Sequence, residues 1–275
     1  MLSSLLKICK FNKDREKLIE IFKYRDIVLK NNNFSKKKKK FILNFKNNKI
    51  FLNETSAFSA LEVFNEVFNL NDHTNHKLFK GYKEKLIVDI GSHNLFYPMK
   101  IFNKNKKVKF ICVEPNKSEI KIAKKNIKLN KIKNIKIFNY FVTNSKNRFT
   151  NFKLIKELPA IGGSNLFRNK RKWIKDEFIS NFKIKNISLK KLIKDNNVNK
   201  IDILKIDAEG SELNILKSFN KFYIVKKITL EFHSLKQRNK LIEFLKKKKF
   251  KLIKQTLNKK NYGSLYFLNK GFYPN

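Results

Sequence analysis

Four places in this chain carry residues whose types and spacing could do chemistry, and each lies where an apolar run stops. The first is Asp89, Gly91 and Ser92 in the stretch VDIGS at 88–92. A glycine behind an apolar strand lets the backbone turn sharply and approach a ligand without a Cβ in the way. Its amide, with the start of a following helix, then suits polar or anionic ligand groups. The second is Glu114, with Asn116 beside it, in VEPN at 113–116. It lies roughly 20 positions past the glycine turn, where dinucleotide-type folds place the acid that takes the ribose hydroxyls. Together the two point to an adenosine-containing ligand. Taken singly, Asp89 reads as a strand-end turn residue and Glu114 as a surface acid. The full GxGxxG is missing, which argues against a nicotinamide or flavin enzyme.

The third place is KIDAEGSE at 205–212, where an apolar run leads directly into Asp207, Glu209 and Glu212. Carboxylates there could orient substrate hydroxyls, accept a proton or bind a metal. Glu212 is better explained by the dipole of a helix beginning beside it, whereas Asp207 follows the strand into the cleft. The fourth is TLEFH at 229–233. Alternation along an extended segment puts Glu231 and His233 on the same side, and histidine suits general-base work near neutral pH. Other signals are weaker. His73 and His76 form an HxxH pair, but no cysteine or carboxylate set completes a zinc site. No GxxxxGK[ST] loop for ATP occurs, nor an Asn/Asp-Pro-Pro-aromatic stretch. Trp173 and Tyr140 could stack on a base, though single aromatics usually serve packing.

These groups need elements to hold them. From residue 85, short apolar runs at 86–90, 109–113, 135–138, 201–206 and 227–230 alternate with helical spacing at 95–103, 117–130, 188–196, 211–219 and 236–248. Nearly continuous apolar strands suit a parallel sheet covered on both faces. The βαβ order predicts an open, doubly wound α/β sheet with ligands at the carboxyl ends of its strands. Residues 141–187 break the rhythm as an insertion with β character, and 250–253 with 264–268 read as a closing hairpin. Ahead of this domain (81–275), residues 1–80 form an accessory segment with no visible chemistry: a helix over 1–30, a linker from Asn31, a hairpin at 40–52 and a helix over 53–70 with Asn53 as N-cap.

The chain has 275 residues, 64 Lys and Arg against 22 Asp and Glu, and a formal charge of +42. Such charge invites a polyanion partner. Arginine, however, occurs only at 15, 25, 148, 168, 171 and 238, and a groove built to grip phosphates draws on its bidentate fork. Lys, Asn, Ile and Phe are abundant together, as A/T-rich codon usage would produce. The charge therefore implies no nucleic-acid partner beyond non-specific attraction, and the runs Lys36 to Lys40 and Lys246 to Lys249 read as solvated surface. No stretch approaches the roughly 18–20 apolar residues of a membrane span. No cleaved signal peptide is apparent, and Cys9 and Cys112 form no disulfide framework; a cytoplasmic setting is the default expectation.

In this order the motifs resemble the FkbM family of S-adenosylmethionine-dependent methyltransferases: VDIGS at 88–92, VEPN at 113–116, GGSNLF at 162–167, ISLKKLI at 187–193, KIDAEGSE at 205–212 and EFH at 231–233. The resemblance implies a class I methyltransferase sheet, mostly parallel with an antiparallel last strand. It implies S-adenosylmethionine as cofactor and O-methylation of a sugar, glycan or other small molecule. Asp89, Gly91 and Ser92 would line the methionine and adenosine side, Glu114 would hold the ribose, and Asn116 would lie near the adenine. His233 is the expected general base, oriented by Glu231, with Asp207 as substrate orienter or alternative base. A divalent metal at Asp207 and Glu209 is the alternative route to the same end. The family's turn carries a second glycine where this chain has Leu95, and His93 stands in place of its Asn. That departure keeps a binding module without catalysis in view, and the charge of +42 keeps a nucleic-acid methyltransferase in view.

Overall fold

The computed structural model describes residues 1–31, 39–45, 47–155, 158–163, 179–257 and 261–273. Trp173, Lys36 to Lys38 and the last four residues of GGSNLF lie outside them. The N-terminal segment opens with two helices, α1 (Leu2–Ile8) and α2 (Asn12–Asn31), where helical spacing predicts one. The break falls at Cys9, whose backbone is extended and bridges Phe45 of the following hairpin. That hairpin is β1 (Lys40–Phe45) with β2 (Asn48–Asn53), antiparallel, and α3 (Glu54–Phe68) follows directly. Asn53 does stand at the N-cap of α3, but its side chain makes no capping bond.

The strands and helices that follow are β3 (Leu86–Ile90), α4 (Phe96–Lys104), β4 (Lys109–Val113), α5 (Lys117–Leu129) and β5 (Ile135–Phe138). The insertion supplies β6 (Phe141–Val142), β7 (Phe149–Ile155), β8 (Leu158–Gly163) and β9 (Ile179–Ile187), which form a separate small sheet. The chain then returns through α6 (Leu189–Asp195), β10 (Ile201–Ile206), α7 (Glu212–Lys217), β11 (Val225–Phe232) and α8 (Leu235–Lys247) to the hairpin β12 (Phe250–Gln255) and β13 (Gly263–Asn269). The main sheet has seven strands in the order β12-β13-β11-β10-β3-β4-β5. β5, β4, β3, β10 and β11 run parallel, and β13 enters antiparallel to both its neighbours. This is the class I methyltransferase arrangement, with the last strand of the chain antiparallel.

Pleating sends successive residues to opposite faces, and both faces are apolar. Ile87, Phe110, Ile203 and Tyr266 belong to one buried cluster, with Leu5, Leu18, Leu43, Phe64 and Phe96. Their neighbours Val88, Ile111, Leu204 and Phe267 belong to a second, with Leu192, Leu216 and Leu241. The N-terminal segment thus covers one face together with α4 and α5, while α6, α7 and α8 cover the other. Asn126 of α5 ties that segment to the ligand end of the sheet. It is fully buried, its Oδ1 accepts the Phe51 N–H at 2.7 Å, and its Nδ2 donates to the Asn94 carbonyl at 3.3 Å.

Lys246 to Lys249 are exposed around the end of α8, a solvated helix terminus as expected, and Tyr140 stacks beside Phe138 within the protein. Cys9 and Cys112 are free and buried. No helix among the described residues is long and apolar enough to cross a membrane.

Candidate functional site

The sheet delivers all four sequence motifs to its carboxyl-terminal edge. At the centre, β3 ends in Asp89, fully buried, and the chain turns at Gly91 with φ +76°. The turn is pinned from both sides. The Gly91 and Ser92 amides donate to the Val113 carbonyl at 3.0 and 3.1 Å, and the Asp207 amide donates to Ile90 at 3.0 Å. A Cβ on residue 91 would stand 1.7 Å from the Asp207 carbonyl oxygen, so only glycine lets β3 and β10 close at this point.

Lys205 lies beneath the turn. Its ammonium stands 3.1 Å from Asp89, donates to the Gly91 carbonyl at 2.8 Å, and lies 3.5 Å from Asp207. Burial alone would lower its pKa, but the Asp89 and Asp207 carboxylates outweigh that and hold it above the usual lysine range. Burial pushes Asp89 up, with Lys205 opposing.

Beyond Gly91 the chain departs from the glycine pattern noted above. His93 and Leu95 adopt φ +45° and +66°, so a leucine takes a left-handed backbone where the resemblance leads one to expect a second glycine. The Leu95 side chain is fully buried in the same apolar cluster as Phe64 and Phe96. A left-handed non-glycine residue costs roughly 1–2 kcal/mol, whereas deleting a buried leucine side chain costs about 2–5 kcal/mol. Packing wins, and Leu95→Gly is expected to destabilise the fold by about 2 kcal/mol in urea unfolding. An increase in stability would show that the leucine contributes strain alone.

Around this turn lies a polar shell. Glu114, at the end of β4, accepts the His93 N–H at 2.9 Å on one carboxylate oxygen and the Asn116 N–H at 2.8 Å on the other. Asn116 caps α5, its Oδ1 taking the Ser118 N–H at 3.0 Å. Several buried side-chain atoms here make no close hydrogen bond within the protein, among them Nδ1 of His93 and Nδ2 of Asn116. Unsatisfied buried polar atoms are costly, and a shell of them fits a polar ligand such as S-adenosylmethionine, whose ribose, adenine and amino acid groups can serve them.

Glu119 and the His93 ring face each other at 3.4 Å. Burial pushes Glu119 up to about 8 and Glu114 up to about 7, and pulls His93 down to about 4. Above pH 4.5, the ordinary value for Glu119, the folded protein holds a proton that the unfolded chain has released. The stability this confers is therefore lost as pH rises toward about 8. Glu119→Gln keeps the neutral shape of the group. Between pH 6 and 8.5 the variant is expected to lose about 2 kcal/mol less stability than the parent in urea unfolding. Equal slopes would show that Glu119 is already ionised at pH 6.

The second half of the site lies on β10 and β11. Their parallel register pairs Ile206 with Leu230, which places Asp207 beside Glu231. One donor atom each from Asp207, Glu231 and His233 lie within 4.8 Å of one another. These side chains are 31%, 16% and 27% exposed, so solvent reaches all three. His233 Nε2 lies 3.5 Å from Glu231 and 3.3 Å from Glu212, and its Nδ1 lies 3.9 Å from Glu209. Burial opposes a charged imidazole, but Glu212, Glu209 and Asp207 outweigh it and raise His233 to about 9. Burial would also raise Asp207, yet Lys205 and His73 hold it well below the usual carboxylate range. Burial and the Asp207 charge push Glu231 up.

The structure brings Asp89, Gly91, Ser92, Glu114 and Asn116 to one side of this edge and Asp207, Glu209, Glu231 and His233 to the other. It also adds two residues. Glu212 stands in the first turn of α7, where the helix dipole favours it as expected, and it also braces the preceding loop, its Oε1 accepting the Ala208 and Gly210 amides at 3.0 and 3.1 Å. It is in addition the carboxylate nearest His233 and a partner of Gln237. His73 was paired in sequence with His76, but the two diverge. His76 Nδ1 accepts the Leu78 N–H at 3.2 Å. His73 is 2% exposed, with Nδ1 at 3.1 Å from Thr229 Oγ1 and Nε2 at 3.5 Å from Asp207.

No curated protein matches the chain. Solved structures that resemble it include M. jannaschii TYW2 in complex with AdoMet, at 12% identity and a TM-score of 0.45, covering 86% of this chain and 89% of that one. M. capricolum TrmK with S-adenosyl-homocysteine gives 15% and 0.42, covering 72% and 69%. Precorrin-6y C5,15-methyltransferase from Geobacter metallireducens gives 11% and 0.40, covering 68% and 84%. The profile of the methyltransferase FkbM domain matches residues 89–264, a span that begins at Asp89, inside the first motif, and includes all the others. The chain belongs to the FkbM methyltransferase family, and it is an S-adenosylmethionine-dependent methyltransferase.

Proposed function

We propose that the enzyme methylates a hydroxyl oxygen on a sugar, glycan or other small molecule. The observation that carries this is the contact between the two halves of the site. The Asp207 backbone closes on Gly91, while its side chain joins Glu231 and His233. A donor over the glycine turn and an acceptor over the acid–histidine group would then be neighbours, and such positioning supplies much of the acceleration in a bimolecular displacement.

Bound S-adenosylmethionine supplies an electrophilic methyl: the acceptor oxygen forms the C–O bond as the C–S bond breaks, and the electron pair stays on sulfur. The chain's residues do the rest. Glu114 has lone pairs beyond the two N–H bonds it accepts, and offers them to the ribose hydroxyls. With the cofactor bound, the unpartnered Asn116 Nδ2 would serve the adenine, and Asp89, Gly91 and Ser92 would line the methionine side. A hydroxyl is a poor nucleophile until its proton departs, and Asp207, Glu231 and His233 are the groups placed to make that departure easier, with Glu209 at the rim.

The test has two parts. Calorimetry should find micromolar binding of S-adenosylmethionine, and no heat at millimolar ligand would overturn the cofactor assignment. Radiolabelled methyl transfer is then assayed against sugars, glycans, phenols and RNA. Label on a carbohydrate or small-molecule hydroxyl is the expected result, and label on RNA alone would overturn the acceptor class.

A further inference from the structure

We propose that Asp207, Glu231 and His233 hold one divalent cation of the manganese or magnesium kind, against which the acceptor hydroxyl docks. The proposal rests on the methyltransferase reading above and names how that site activates its acceptor.

Three observations carry it. The first is geometric. Two carboxylates and an imidazole come from the ends of adjacent strands, with one donor atom each inside a 4.8 Å circle. A first-row divalent ion with bonds near about 2.1 Å places cis ligands about 3 Å apart and trans ligands about 4.2 Å apart, so this set needs little closure to meet one ion. Oxygen and imidazole donors without thiolate suit manganese or magnesium, and exposure of all three side chains leaves room for water and an acceptor oxygen.

The second is the supporting shell, which metal sites need in order to orient their ligands. The Gln237 side-chain carbonyl accepts the His233 backbone N–H at 2.7 Å and so fixes the main chain that carries the imidazole, while its side-chain amide donates to Glu212, which lies 3.3 Å from the ring. On the other side His73, buried and held by Thr229, aims an unpartnered Nε2 at Asp207.

The third is charge. Glu209 and Glu212 also face His233, and Glu66 and Asp72 bear on Glu231 and Asp207 from the N-terminal segment. The nearby cation Lys205 is shared between Asp89, the Gly91 carbonyl and Asp207, so it offsets only part of this negative charge. A chain with net charge +42 thus gathers its acids around one solvent-reached point. A cation there offsets their repulsion, and by accepting the acceptor's oxygen it lowers the cost of the hydroxyl proton's departure.

The experiment uses the full chain, stripped with chelator and titrated with Mn²⁺. The free-ion signal is followed by electron paramagnetic resonance, and S-adenosylmethionine binding is measured separately on the same metal-free protein. One site is expected, weakened at least tenfold in Asp207→Asn, Glu231→Gln and His233→Gln, and unchanged in Glu243→Gln on the exposed face of α8. The two amide variants keep the shape of the groups they replace, and thermal melting of each variant confirms folding. Absence of a site in the parent up to millimolar Mn²⁺ would overturn the proposal whatever the variants do, as would a site that survives all three substitutions. Cofactor binding without Mn²⁺ binding sinks the cation alone. Mn²⁺ binding without cofactor binding sinks the methyltransferase site and leaves the cation standing.

Discussion

His233→Ala is expected to lower turnover by about 10²–10⁴-fold while changing the S-adenosylmethionine dissociation constant by less than about 3-fold. The split follows from where the residue stands. His233 lies at the end of β11, with β10 between it and β3, and its neighbours are Glu231, Glu212 and Glu209. The groups assigned to the cofactor stand at the ends of β3 and β4. Truncating the imidazole leaves the loop after β10 intact, because Glu212 still accepts the Ala208 and Gly210 amides and still meets Gln237. What is lost is the imidazole that, with Asp207 and Glu231, would hold the cation proposed above, so the acceptor hydroxyl gives up its proton less readily. Steady-state kinetics with calorimetry on the same variant measures both numbers. An equal loss in turnover and cofactor affinity would show that His233 holds the site together, and no loss in either would remove it from the chemistry.

Much of this arrangement is legible in the residues. The strands expected at 86–90, 109–113, 135–138 and 201–206 have those bounds in the structure, because β-branched and apolar residues crowd strands of a covered sheet. The strand expected at 227–230 runs from Val225 to Phe232, since pairing with β13 continues through Glu231 and Phe232. Acids that end such strands are easy to find, and so was their convergence.

What escaped notice depends on contacts that no local pattern encodes. The break between α1 and α2 has helical spacing on both sides and is set by the bridge of Cys9 to Phe45. His73 lies 134 positions before Asp207, and the sequence offers it no partner beyond an HxxH spacing to His76 that completes no zinc site. Glu119, in the first turn of α5, looks like an ordinary partner for the helix dipole, yet it is buried against His93. Leu95 breaks the expected glycine pattern. The sequence reports the substitution, while only the apolar cluster formed by α3 and α4 explains where the side chain goes.

Lys205→Met should reveal how far the site depends on charge buried beneath it. The ammonium lies between Asp89 and Asp207 and holds the Gly91 carbonyl, and it is almost wholly removed from solvent, as is Asp89. A buried pair is a weak source of stability as a whole, because both charges must leave water, but removing one partner strands the other and costs about 3–5 kcal/mol. Methionine fills the volume, so the loss reports charge and not a cavity. The sign of its pH dependence is fixed. With the ammonium gone, burial and the Asp207 charge act on Asp89 against His73 alone, and its pKa rises further above 3.8. The folded variant then binds a proton that the unfolded chain does not, and its stability falls as pH rises. Urea unfolding should show a deficit against the parent that is larger at pH 8 than at pH 5.5. Adding Asp89→Asn should recover part of it, since a neutral amide has no charge to strand. A deficit below about 1 kcal/mol at pH 8 would mean that water reaches the pair, as it does surface pairs, and the turn at Gly91 would then owe its position to the backbone bonds alone.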